Sequence, residues 1–145
     1  MIAVDPMHRI RDMTLPDSSA QSVPSRRMGI GFIVATILGV PTAAVAWTWY
    51  GLAQFEAQTE QGKALAAGTT MAGSAEIMGG VPLVLAHLVG LVTLGVLGWK
   101  GQRGRGIGFA FLAVAIASVV GIIVAQLLWE GQLFQLGINN DVYVP

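Results

Sequence analysis

Three long stretches of this chain carry no charged residue: 28–55 (MGIGFIVATILGVPTAAVAWTWYGLAQF), 77–99 (IMGGVPLVLAHLVGLVTLGVLGW) and 106–129 (GIGFAFLAVAIASVVGIIVAQLLW). A hydrocarbon core takes about 20 residues of helix to cross, so each stretch is long enough to do so. In lipid only helices and closed barrels satisfy their own backbone, and three spans cannot close a barrel. The pattern therefore predicts an all-α integral membrane protein with transmembrane helices over about 28–50, 77–99 and 106–129. Between the first two spans, residues 51–76 form a loop on one side. Its Ala, Gln, Glu and Leu up to Ala67 predict that the first helix continues beyond the membrane for several turns. Gly68 to Ser74 then supply a turn with candidate N-caps, and Glu76 suits the start of the second helix.

Polar segments flank the spans. Residues 1–27 (MIAVDPMHRIRDMTLPDSSAQSVPSRR) hold three Pro, several Ser and Asp, and no apolar period, which predicts an extended arm. Such an arm is either a disordered tail or a strap ordered on a larger partner. The last fifteen residues, GQLFQLGINNDVYVP, form a tail, 131–145, with a turn at Asn139-Asn140-Asp141. It is too apolar to float and too short to fold, so it is expected to lie on the membrane or on another subunit.

Charge sets the orientation. Of eight basic residues, Arg9, Arg11, Arg26, Arg27, Lys100, Arg103 and Arg105 fall on one side and only Lys63 on the other. The positive-inside rule makes the N-terminus cytoplasmic and the C-terminus extracytoplasmic. Trp47, Trp49, Tyr50 and Trp129 then sit at the outer interface and Trp99 at the inner one. The first span, with its twin arginines and Ala44-Val45-Ala46, also has the form of a cleavable export leader; the reading kept here is a retained span.

Composition agrees with the pattern: 54% hydrophobic, 11% charged and a mean hydropathy of +0.66 over 145 residues. Zero formal net charge gives no pull toward nucleic acid. The absence of cysteine excludes disulfides, thiolate nucleophiles and iron–sulfur ligation. Phosphate-binding, metalloprotease and nucleophile-elbow motifs are missing, and no catalytic residue, bound cofactor, metal site or small-molecule substrate is expected of this chain. GQRGRGIG at 101–108 reads as a tight turn carrying positive-inside charge, with anionic lipid headgroups within its reach.

Small residues recur at every fourth position in two spans: Gly31, Ala35, Gly39 and Ala43 in the first, and Ala113, Ala117, Gly121 and Ala125 in the third. Each set lies on one helix face and permits close packing, either within the three-helix bundle or against another protein's helices. A histidine, His87, stands in the second span with no charged residue for ten positions on either side. Counting from the outer helix ends places it roughly 13 Å deep, level with Thr42 at roughly 12 Å and Ser118 at roughly 16 Å. Pro41, nearby, deprives the Ile37 carbonyl of its usual donor. Hydroxyls on the neighbouring helices would satisfy a neutral imidazole. The other readings of His87 are a metal or haem ligand shared with a partner chain, and a proton-handling group. A second intrachain histidine ligand is lacking, since His8 belongs to the arm.

These features describe a noncatalytic accessory subunit of a larger membrane complex, with integral membrane subunits and membrane lipid as its partners. The alternative is a small self-associating transporter or channel, whose polar residues would have to line one path; Thr36 and Thr42 stand about 240° apart on the wheel, which argues against it. The segment GGVPLVL at 79–85, with Ala/Gly/Val-rich spans and short polar arms, resembles the small accessory subunits of actinobacterial respiratory assemblies that join a cytochrome bcc complex to a terminal oxidase. That resemblance implies a noncatalytic subunit in a bacterial plasma membrane, next to haem and copper centres held by other chains.

Overall fold

A computed structural model describes residues 23–137. Those residues form three long helices, α1 (Val23–Ala66), α2 (Val81–Gln102) and α3 (Gly104–Leu128), with a π-helical turn, Glu76–Gly80, running straight into α2. Each rod is long and apolar enough to cross a membrane, and each packs on the other two. This is the architecture of a multi-pass membrane protein. The most apolar windows of α1, the second rod and α3 are only 6%, 6% and 17% buried, so lipid is the solvent for most of their side chains.

At 44 residues α1 is about 66 Å long, twice what the membrane needs. Its start at Val23 takes residues 23–27 out of the arm and into the helix, with Pro24 in the first turn, where the missing N–H costs nothing. The rest of the arm, residues 1–22 with His8, Arg9 and Arg11, lies outside the described residues, as do 138–145 with the Asn139-Asn140-Asp141 turn. At its far end α1 runs on to Ala66, then turns at Gly68, whose φ is +74°. Gln61 holds that turn, accepting from the Met71 N–H at 2.8 Å. Contrary to expectation, no turn side chain caps the second rod: Ser74 donates to the Met71 carbonyl at 2.6 Å instead.

The first part of the tail also departs from expectation. Residues 131–137 fold back onto their own chain: Leu133 is wholly buried, its N–H donates to Gln126 Oε1 at 3.2 Å, and the Gly137 N–H donates to Gln58 Oε1 at 3.1 Å. Room for this comes from Gly51, where a Cβ would press within 2.7 Å of Leu133 Cδ1 and would overlap the Trp129 indole. Together with buried Ala53, Gln54, Ala57 and Ala75, the fold-back makes the end of the bundle away from Arg103 a tightly packed part of the molecule.

Two close backbone approaches pin the rods. Toward the C-terminal end of α3, Gly121 lies against Ala43 of α1, whose carbonyl group would sit 2.9 Å from an added Cβ. At the opposite end Gly98 of α2 and Gly106 of α3 touch backbone to backbone, each without room for any side chain. The α2–α3 turn is Arg103 alone, at φ 52° and ψ −133°. Gly106→Val is therefore expected to cost at least ~1–3 kcal/mol by overpacking, whereas Gly90→Ala, where an added Cβ meets nothing within 4 Å, is expected to be silent. Reversible unfolding in detergent checks the contrast.

Candidate intramembrane site

Between the two pinch points the helices diverge and leave a cleft of about 480 Å³. Small residues from all three rods border it, Ala35 and Gly39 of α1, Ala86 and Gly90 of α2, Ala113 and Ala117 of α3, with Leu38, Leu85 and Leu94 among the larger ones. Among the described residues, the polar side chains on it are Thr36, Thr42, Thr93 and His87. Of the two small-residue faces expected from sequence, the α3 face is divided: Ala117, Gly121 and Ala125 are buried, Gly121 against α1, while Ala113 and Ala117 border the cleft. Of the α1 face, Ala43 packs closely on Gly121, Ala35 and Gly39 face the cleft, and Gly31 has only Leu97 near it, 3.8 Å from an added Cβ.

His87 anchors its ring to its own helix. Nδ1 lies 2.8 Å from the Leu83 carbonyl oxygen. A carbonyl can only accept, so Nδ1 carries the hydrogen, and in the uncharged ring Nε2 is left as a bare acceptor. Nε2 is buried and has no hydrogen-bond partner among the described residues. Leaving such an acceptor unmade costs about 1–3 kcal/mol. Trp47 stands edge-on to the imidazole, with ring centroids 6.3 Å apart at 79°.

The expected hydroxyl partners are engaged elsewhere. Thr42 donates to the Leu38 carbonyl of its own helix at 2.9 Å, and Thr36 does the same to Phe32 at 2.9 Å. A threonine hydroxyl reaches the carbonyl one turn back with no cross-helix ordering, and that local bond wins. Ser118 instead accepts from the Trp47 indole N–H at 3.1 Å. Trp47, expected in the outer aromatic belt, thus ties α1 to α3 by that bond while its face and edge meet His87, Tyr50 and Phe134. Sequence gave it no such role; its one signal was a position a single turn past Ala43, where the rods meet. Trp49 donates to the Met78 carbonyl at 2.9 Å and fastens the π-helical turn to α1. The Trp129 indole N–H is buried without a partner, its ring 5.6 Å from that of Phe55.

Thr36 and Thr42 both border the cleft despite their wheel separation, because the cleft occupies a broad sector of α1. Ser118 and Gln126 are bonded away from it, to Trp47 and to the Leu133 N–H, so the polar residues do not form one continuous path. Among the described residues no group of three His, Cys, Asp or Glu is placed to hold a metal. What the cleft offers is an apolar recess edged by three threonine hydroxyls and one face of an imidazole.

No protein-family model matches the chain, and no curated protein or solved structure is significantly similar to it. The arrangement of these residues is what carries a functional reading.

If His87 Nε2 is an orphan acceptor in the isolated chain, His87→Leu should leave stability unchanged or raise it by up to ~1 kcal/mol, since it removes an unmet acceptor. Ser118→Ala should cost about 0.6 kcal/mol, the usual worth of an interhelical hydrogen bond in a membrane. Unfolding of the two variants side by side in one detergent measures both.

Proposed function

We propose that this chain is a noncatalytic accessory subunit of a larger complex in a bacterial plasma membrane, acting through helix contact. The observation that carries the reading is the small-residue cleft, which the chain's own helices do not close. At Gly39 and Gly90 an added Cβ would meet nothing within 4 Å. Small residues earn their place in a membrane helix by letting another backbone come close, and here the three rods hold theirs apart. A partner helix seated in the cleft would bury Ala35, Gly39 and Gly90.

The respiratory assignment, to a cytochrome bcc–terminal oxidase type of assembly, rests on the resemblance at GGVPLVL. In this fold that segment has a packing role: Gly79 is buried, and a Cβ there would lie 2.8 Å from Ala53 Cβ and 3.1 Å from the Tyr50 backbone. Haem and copper in this reading belong to the partner chains. The basic ends of α1, α2 and α3 face the cytoplasm by the positive-inside rule.

Extraction in a mild detergent is expected to bring this chain out with larger membrane proteins carrying haem absorbance, as mass spectrometry and spectra of the same fraction will show. Gly39→Leu and Gly90→Leu, whose Cβ atoms have open space and whose side chains project into the cleft, should preserve the isolated fold and abolish that association. Recovery of a lone homo-oligomer that conducts ions would overturn the proposal.

A further inference from the structure

A second recess opens at the basic end of the bundle. It measures about 360 Å³ and is bordered by Gly29, Phe32 and Ile33 of α1, by Leu97 and Gly98 of α2, and by Phe109 of α3. A neighbouring recess of about 390 Å³ shares Phe32, Gln102 and Phe109 with it and continues between α1 and α3 as far as Val40 and Ile116. The two make one groove. From Gly29 to Val40 it follows α1 for eleven residues, about 17 Å at 1.5 Å per residue. Half of a bilayer's hydrocarbon core is about 15 Å. The groove is therefore as long as the path of one acyl chain through one leaflet.

The end of the bundle at which the groove opens is cationic. Arg27, Lys100, Arg103 and Arg105 stand exposed at this end, and Arg105 lies one turn before Phe109 on the same face of α3. The described carboxylates, Glu56, Glu60, Glu76 and Glu130, all belong to the opposite end, and the one ion pair among the described residues is Lys63–Glu60 there, at 2.7 Å. Arg103 adds a second observation. It holds φ 52° and ψ −133°, a backbone conformation that favours glycine, in a turn whose neighbours Gly101 and Gly104 show glycine to be at hand. A cationic side chain stands where the main chain is strained.

We propose that this groove is a binding site for one anionic phospholipid of the leaflet at the basic end, its phosphate held by Arg103, Arg105 and Lys100 and one acyl chain lying along Phe32, Phe109 and Ile116. Charge complementarity selects the headgroup, and the length of the groove selects a chain anchored at the surface over a molecule floating at the midplane. The site belongs to this chain alone and does not depend on the accessory-subunit reading.

The test is native mass spectrometry of the full chain released from nanodiscs made of equal amounts of dioleoylphosphatidylglycerol and dioleoylphosphatidylcholine, lipids with identical chains. Retained adducts should be enriched in phosphatidylglycerol. Arg103→Gln with Arg105→Gln should cut that enrichment by about tenfold or more, two surface charges being removed. Gly29→Leu, whose Cβ has open space, should fill the groove and reduce retention of both lipids while leaving the helix content by circular dichroism unchanged. Arg103→Gly separates binding from structure: relief of the backbone should raise the thermal midpoint in detergent while the phosphatidylglycerol preference falls. Equal retention of the two lipids by the wild-type chain would overturn the proposal, and so would a preference that survives both the charge and the groove variants.

Discussion

The bundle takes its shape from how closely α1 and α3 approach where Ala43 meets Gly121. Nothing larger than hydrogen on Gly121 fits beside the Ala43 carbonyl, and the contact fixes where the two longest rods cross. Immediately beyond it, the Trp47 indole bonds to Ser118 and turns the crossing into a joint with a defined depth. At the other end α3 is pinned to α2 instead, through Gly98 and Gly106. A rod held to one neighbour toward its C-terminal end and to another at its N-terminal end cannot stay in contact with both along its length. The cleft between the pinch points and the groove below it are consequences of that geometry.

In lipid such openings have a meaning they lack in water. There is no hydrophobic drive to close them, because an acyl chain is as apolar as the leucines around it. What distinguishes the two openings is their polar content. The cleft is bordered by three threonines and by His87, whose Nδ1 bonds to the Leu83 carbonyl and whose Nε2 is buried without a partner. The groove opens at the end of the bundle where exposed cations stand without described counter-charge. The first opening suits an apolar helix; exposed cations suit phosphate. One short chain thus presents different chemistry at two depths.

Much of this architecture is legible in the residues. Three uncharged runs suffice for three rods, the polar but helix-favouring stretch to Ala67 foretells the extension of α1 that ends at Ala66, and Gly68 marks the turn. Less visible is which small residues meet. Gly98 and Gly106 pair because the turn between them is a single residue, Arg103, and Arg103 sits in a backbone conformation no sequence pattern predicts for arginine. The polar level at Thr42, His87 and Ser118 was legible as a depth and misleading as a network: rise per residue sets depth, whereas partnership depends on competition with the carbonyl one turn back, which the two threonines lose themselves to. The tail's return onto Gln126 and Gln58 was hidden for a related reason, since it depends on the space that Gly51 leaves on another helix.

Site-directed photocrosslinking in living cells addresses the contact reading most directly. A photoreactive side chain placed at Leu38, which borders the cleft and is 60% exposed in the isolated chain, reports whatever stands over the opening. The account predicts a discrete adduct with a larger integral membrane protein, absent when the probe is moved to Leu127, which is 76% exposed and does not border the cleft. Adducts with lipid alone at both positions, or with a second copy of this chain at Leu38, would contradict it.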